Sequence, residues 1–381
     1  LRLVPNDLAL LDALAATLQA EGDLLGALGC YERILAIDPR HARAYVGMAD
    51  AFSGRGWEED AERSLRTALD CDADCVAALS SLAMVDLRAG RYDEAHALLD
   101  RAIRLSPQEG GLWRNKGLIC AAQGDHAAAE QLALKALELD PQDCDSRFSL
   151  ACTYLLTGRL REGWRDYEFR WASREGGGQV KAPVTRLPRW SGEPLVRETS
   201  ALIIYPEQGF GDSIQFARYV PLAAQRFARV RLVTRPPLLG LFKRSFGALA
   251  EVVAESADES GFTHHCPVMS LPLAFDTTLD TIPGAVPYLT PDPTLAAAWA
   301  ARLGALPGLK VGVAWATGKK GVHKASFELP LRRLAAIFAM PGLSCISLNK
   351  EALGDDEQAF LRHSGVHDWT TELADFDATA A

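Results

Sequence analysis

The stretch GDLLGALGCYERILAIDPRHARAYVGMADAFSGRG, residues 22–56, decides the fold of the first half of the chain, because both of its terminal glycines belong to a series. Glycine returns at Gly22, Gly56, Gly90, Gly124 and Gly158, every 34 residues. A small residue returns in the same register at Ala15, Ala49, Ala83, Gly117 and Ala151, and another at Ala27, Ala61, Ala95, Ala129 and Gly163. Pro39, Ala73, Pro107 and Pro141 close the units. Self-similarity at a fixed period of this size marks a solenoid of stacked hairpins. The glycine ends a first helix, where a left-handed residue turns the chain. The alanines stand where the helices of a hairpin cross and only small side chains allow close approach. The proline closes the second helix. Leu18, Tyr31, Leu65, Leu99, Leu118 and Leu137 are expected to fill the space between hairpins.

This small–glycine–alanine–proline pattern resembles the tetratricopeptide repeat (TPR). Full repeats fit at 8–41, 42–75, 76–109 and 110–143, and a further one begins at 144. The resemblance implies an α solenoid, the TPR superhelix, whose concave face is lined by the first helix of each pair and binds a protein or peptide. The plainer alternative is an array that only spaces or dimerises the rest. The last hairpin departs from the pattern. Its second helix reads REGWRDYEFRW (161–171), with Trp164, Tyr167, Phe169 and Trp171 in place of small residues. It is expected to cap the solenoid and to dock onto the C-terminal half of the chain.

Around the repeats, composition bounds the rest. A length of 381 residues suggests two or three domains. With 48% hydrophobic and 23% charged residues, the chain is an ordinary globular mix. A formal net charge of -9 disfavours nucleic acid as a partner, since phosphate binding needs concentrated positive charge. No apolar run approaches the roughly 18 residues a membrane span requires. The opening LRLVPNDLALLDAL lacks the basic and apolar regions of a signal peptide. Its Leu1, in place of an initiator Met, suggests that upstream residues are missing. Cys30, Cys71, Cys75, Cys120, Cys144, Cys152, Cys266 and Cys345 are scattered without a C-x-x-C pair. They read as reduced thiols in a cytoplasmic protein, with no metal expected.

Residues 172–199 are rich in Gly and Pro and read as a linker that Trp190 anchors. The periodicity then changes. ALIIY (201–205), RVRLVT (229–234), AEVVA (250–254), a run near 264–269 and LKVGVAWA (309–316) are strand-like. They alternate with helical SIQFARYVPLAAQRF, PPLLGLFKRSF and LRRLAAIF. That alternation implies parallel, doubly wound sheets in two Rossmann-like lobes. The resulting division is 1–171 solenoid with aromatic capping helix, 172–199 linker, 200–300 first lobe and 301–381 a partial second lobe.

Glu207, Gln208, Gly209, Gly211 and Asp212 fall where a strand passes into a helix, the carboxyl edge at which such sheets bind ligands. The helix N-terminus favours negative charge, so Asp212 is by itself either a cap or a carboxylate for chemistry. The loop after 316 offers Thr317, Gly318, Lys319, Lys320, His323, Lys324 and Ser326, either an anion site or a solvated loop. His264 and His265 are further candidates, with a structural role at a strand end as the alternative. Arg218, six residues after Asp212, is expected to face elsewhere.

PEQGFGDSIQFARYVPLAA, FTHHCPVMSLPLAF, VPYL, KVGVAWATG, ISLNK and ELADFDATAA resemble, in order, segments of bacterial TPR-linked glycosyltransferase-like proteins. These are similar to the heptosyltransferase and lipopolysaccharide-transferase family with the GT-B fold. The resemblance covers most of 185–381 and implies a GT-B-like pair of Rossmann-type lobes. It assigns Asp212 as general base for an acceptor hydroxyl, with a nucleotide sugar as donor and no further cofactor. It places His265 and Ser270 at substrate, and Glu207, Gln208, Gly209, Gly211, Thr317, Lys319, Lys320, Lys324 and Ser326 around donor or substrate. The 317–326 stretch departs from the family, where an Asn or Arg-rich pattern is expected.

The family continues past LADFDATAA to an Asp-Thr-x-x-x-His-x-x-Gly-Ala-type turn, so the second lobe is expected to be incomplete, this chain weakly active or inactive and its apolar sheet edge exposed. The main reading is a TPR-guided glycosyltransferase. A non-catalytic TPR interaction scaffold is the alternative, and a nucleotide- or phosphate-binding regulator is a third reading.

Overall fold

A computed structural model describes residues 7–173, 182–254, 258–316, 329–350 and 353–381. The chain forms two compact units, Leu1–Thr157 and Gly158–Ala381.

The first unit is a run of antiparallel helix pairs. The helices are α1 (Leu8–Glu21), α2 (Leu24–Ile37), α3 (Ala42–Gly54), α4 (Glu58–Cys71), α5 (Val76–Arg88), α6 (Tyr92–Leu105), α7 (Gly110–Ala122), α8 (His126–Leu139) and α9 (Cys144–Leu156). The first helices begin at residues 8, 42, 76, 110 and 144, with the same period as the glycines. Gly22, Gly56, Gly90 and Gly124 all have φ between +75° and +86°, so each turn uses the left-handed conformation that a side chain resists. Ala15, Ala27, Ala61, Ala83 and Ala95 are fully buried at the crossings, and larger residues such as Leu65, Leu79, Leu99 and Leu112 fill the layers between them. Gly47 answers to space: a β-carbon there would lie 2.2 Å from the Tyr31 ring, which wedges against α3. The repeats therefore form an α solenoid.

The second unit opens with α10 (Leu160–Tyr167), which tightens into a 3-10 turn over Glu168–Trp171. Its first sheet contains β1 (Ala201–Tyr205), β2 (Arg229–Val233), β3 (Glu251–Val253) and β4 (His264–Pro267), all parallel, in the order β3-β2-β1-β4. Leu202 lies opposite Val230 on one side and His264 on the other. The crossovers carry α11 (Phe210–Phe216), α12 (Val220–Arg226) and α13 (Leu239–Phe246), and α14 (Leu271–Ala274) follows β4. Leu202, Ile203 and Ile204 are fully buried, as expected for a central parallel strand covered on both faces. The sequence pattern predicts one helix over 213–227, but a 3-10 turn at Ala217–Tyr219 breaks it. Pro221 has no N–H to give to the Ala217 carbonyl, which interrupts the α ladder there.

After α15 (Pro293–Gly304), a second parallel sheet has β5 (Leu309–Val313), β6 (Leu343–Ser347) and β7 (His367–Asp368) in the order β5-β6-β7. It is accompanied by α16 (Ala335–Phe338), α17 (Asp355–His363) and α18 (Phe376–Ala380). β5 ends at Val313 rather than 316. Trp315 and Ala316 instead donate their backbone N–H groups to Asn349 Oδ1. Residues 182–199 are no free tether: Arg189 bridges to His265, and Trp190 is buried between Phe227 and Phe275 at centroid distances of 5.0 and 5.1 Å.

Candidate functional site

The loop from β1 to α11 is built by its own polar groups. Gln208 adopts φ +43°, a left-handed turn that swings the chain off the strand edge. Its Nε2 donates to the Tyr167 hydroxyl at 3.1 Å, and its carbonyl accepts from Arg235. Gly209 then caps α11. Asp212 stands at the third helical position, and its Oδ2 accepts the Gly209 N–H at 2.9 Å. A carboxylate in a first turn, closing back on the cap, satisfies an otherwise orphaned donor. Asp212 is half-buried at the carboxyl edge of the first sheet.

Glu207 faces inward, 4% exposed. Its Oε1 and Oε2 accept from Arg170 Nε at 2.6 Å and Nη2 at 2.9 Å, a bidentate fork. Arg170 is fully buried and also donates to the Tyr167 carbonyl, to Glu168 Oε1 at 2.9 Å and to Ser270 Oγ at 2.8 Å. Its guanidinium lies 4.3 Å from the Trp171 ring centroid. Arg189 completes the group by pairing with Glu168 and donating to Ser270 Oγ. Two arginines and two glutamates thus balance in one cluster, with Arg170 and Glu207 buried and Arg189 and Glu168 half-buried at its rim, the arrangement that makes the buried charges tolerable. Burial pushes the Arg189 guanidinium below its ordinary value, opposed by Cys266 and Glu207.

The structure brings Glu207, Gln208, Gly209, Gly211 and Asp212 together in one loop and seats Ser270 beneath it through Arg170. Glu207 and Ser270 spend their side chains on the internal network. His265 sits within β4, edge-on to Tyr205, with Nδ1 lacking a hydrogen-bond partner among the described residues. Burial first, then Arg189, lowers its pKa. Arg218 lies over the Tyr288 ring, 4.9 Å from its centroid. Thr317, Gly318, Lys319, Lys320, His323, Lys324 and Ser326 lie outside the described residues. Among the described residues, no cluster of His, Cys, Asp or Glu is placed to hold a metal ion, and no helix is long and apolar enough to cross a membrane.

Sequence reasoning does not reach Arg170 and Arg189. WRDYEFRW carries a signal, an arginine set among aromatic residues at helical spacing, but that spacing alone does not show which of its charges is buried. A cavity is missed as well. It measures about 380 Å³ and is lined by Asn349, Gln358, Leu361, Arg362, Asp368 and Thr370, among others. It lies beyond the carboxyl ends of β6 and β7. Asn349 is 5% exposed and its Nδ2 has no partner among the described residues.

Comparison with known proteins agrees with the solenoid. Tetratricopeptide repeat models match residues 18–85, 81–143 and 132–165. Protein FlbA of Caulobacter vibrioides is 27% identical over 97% of this chain, which spans 71% of that protein. Cellulose synthase operon protein C of Xanthomonas axonopodis is 33% identical, and superkiller complex protein 3 of Mus musculus is 28% identical. Those matches cover 38% and 39% of this chain and only 10% of each relative. Among solved structures, a thermophilic TPR protein of Thermus thermophilus aligns over 44% of this chain and 92% of its own, with 24% identity and a TM-score of 0.40. The repeats are tetratricopeptide repeats.

Proposed function

We propose that this chain is a protein-interaction scaffold that holds a protein or peptide segment along the first helices of its repeats. The observation that carries this reading is the unbroken register of the solenoid from Leu8 to Leu156. Five parallel first helices form one continuous face, and such faces recognise extended or helical segments. Their incompletely buried side chains include Arg43, Asp50, Met84 and Leu118. A random peptide library panned on the full chain tests the reading. Enriched peptides should lose binding to Asp50→Arg and Leu118→Arg variants whose circular-dichroism melts match wild type. Failure to enrich any peptide, or enrichment indifferent to both substitutions, refutes it.

A second reading is favoured by Asp212 at the edge of the first sheet and by the Asn349 cavity at the edge of the second. In this reading the unit is GT-B-like and transfers a sugar from a nucleotide-sugar donor to a hydroxyl on the captured partner. The acceptor oxygen would form the new bond to the sugar carbon as the nucleoside diphosphate departs, with the acceptor proton passing to Asp212. Asp212 Oδ2 is engaged with Gly209, which leaves Oδ1 for that proton. His265 would stand near substrate, and Thr317, Lys319, Lys320, Lys324 and Ser326 near the diphosphate, while Ser270 holds Arg170 and Arg189 beneath the loop. Calorimetric titration with UDP, ADP and GDP, repeated on Asn349→Ala, together with donor turnover in Asp212→Ala, tests it. If none of the nucleotides binds, or if turnover survives Asp212→Ala, sugar transfer fails while the scaffold reading stands.

A further inference from the structure

The two ends of the Glu207–Asp212 loop are held by different physics. At Glu207 the hold is a buried ion pair whose rupture would strand Glu207, 4% exposed, without its counter-charge. At Phe210, the first residue of α11, the neighbours are Arg235, 5.4 Å from the ring centroid, and a segment from the far end of the chain. Phe376 packs on Phe210 at 5.0 Å between ring centroids, and the next residue, Asp377, pairs with Arg244 of α13. A β-carbon on Gly240 would lie 2.3 Å from Asp377 Oδ2, so the carboxylate sits directly against the α13 backbone.

Upstream, the same segment is tied at two more points. Glu372 accepts from Arg302 of α15 through both carboxylate oxygens at 2.8 Å. Arg302 also lies 3.9 Å from the Trp369 ring centroid. The Leu373 and Ala374 carbonyls accept from Lys350, just beyond β6. Residues 369–377 therefore run as a strap from the second sheet, past α15, to the loop of the first sheet.

The loop end of this strap can open without leaving a charge alone. Arg244 has a second partner, Asp292 Oδ2, at 2.9 Å. Asp292 in turn is held by the Thr294 and Leu295 N–H groups that it caps. When Asp377 leaves, Arg244 keeps Asp292 and Asp377 enters water. Both latch side chains are already partly solvated, so salt weakens their attraction.

We propose that residues 369–377 are a releasable strap, latched by Asp377 on Arg244 and by Phe376 on Phe210, which opens and closes over the Gly209–Asp212 end of the loop while the Glu207 end stays fixed. The device holds whatever chemistry the loop performs, so its test is independent of both the scaffold and the sugar-transfer readings. Hydrogen exchange of the full chain, read by mass spectrometry at peptide level, is compared for wild type, Asp377→Asn and Phe376→Ala. Peptides covering 208–216 and 375–381 should exchange at least ~10-fold faster in both variants, with β1 and β4 unchanged, as expected for local opening. Wild type in 1 M salt should shift the same peptides in the same direction. Unchanged exchange at 208–216 in both variants overturns the proposal. Uniform acceleration across the whole second unit overturns it too, because the segment would then be ordinary core. The near-isosteric Asp377→Asn keeps the test valid if Phe376→Ala fails to fold.

Discussion

Replacing Glu207 by Gln preserves its shape and removes one charge from a cluster whose sum is zero. Arg170 is completely buried, and the fork from Glu207, at 2.6 and 2.9 Å, includes its shortest contact. Breaking a buried pair on one side typically costs about 3–5 kcal/mol. Here Arg170 keeps Glu168 at 2.9 Å, and the glutamine oxygen still accepts one hydrogen bond, which places the loss at about 3 kcal/mol, the lower end of that range. For a body of this size, about 3 kcal/mol corresponds to a fall of roughly 6–12 °C in melting temperature. The chain has two compact units, so the assay must distinguish the unfolding of one from that of the other. Pulsed hydrogen exchange along a urea series does so, because peptides from the repeats and from the sheets report independently. The second unit should weaken while the repeats keep their midpoint. Adding Arg170→Met should recover at least half of the loss, since Glu168 and Arg189 then balance on their own. A single-variant loss under about 1 kcal/mol, or a double variant equal to the sum of both singles, would show that the pair is not coupled.

Geometry and charge dictate three further outcomes. His265 is held neutral by burial and by Arg189, so its folded pKa lies below its unfolded value. The unfolded chain then binds the extra proton, and this stability is complete above about pH 6.5 and lost as pH falls towards the folded pKa. Urea midpoints of the second unit should drop on acidification, and His265→Asn should flatten that slope; an unchanged slope rules the assignment out. Gly47→Ala forces a methyl against the Tyr31 ring, and the crowding should cost about 1–3 kcal/mol in the repeats. Equal midpoints in a thermal melt would mean that Tyr31 moves aside freely. Burial pushes the Cys266 thiol up to about 12. Iodoacetamide at neutral pH should therefore label Cys71, Cys75, Cys144 and Cys152 well before Cys30, Cys120, Cys266 and Cys345, by mass-spectrometric mapping. Early labelling of Cys266 would contradict its burial.

The repeats are legible in sequence because one residue per unit answers to one local demand. Gly22 and its successors must be left-handed, and that demand is written at a fixed spacing. Strands are legible for a similar reason: ALIIY carries almost nothing polar to place, so it belongs inside a covered sheet. The buried cluster is not legible. Arg170, Glu207, Ser270 and Arg189 are up to 100 residues apart, and nothing in their local sequence distinguishes a buried arginine from a solvated one. The Asn349 cavity is hidden for the same reason, being formed by β6, α17 and β7 together. Asp212 is readable as a first-turn carboxylate, and its partner is the backbone of Gly209. The stop in β5 at Val313 depends on Asn349, a residue beyond the next strand, and no periodicity could announce it.

The placement of Arg170 also separates what can vary in this chain from what cannot. Hairpins of 34 residues in unbroken register are interchangeable units, so a lineage could add or drop one and change only the reach of the binding face. The segment from Gly158 to Ser173 has no such freedom, because shifting it by a single residue would carry Arg170 away from Glu207 and Tyr167 away from Gln208. Copy number should therefore drift among descendants of this gene, while the spacing between the aromatic helix and the first strand stays constant.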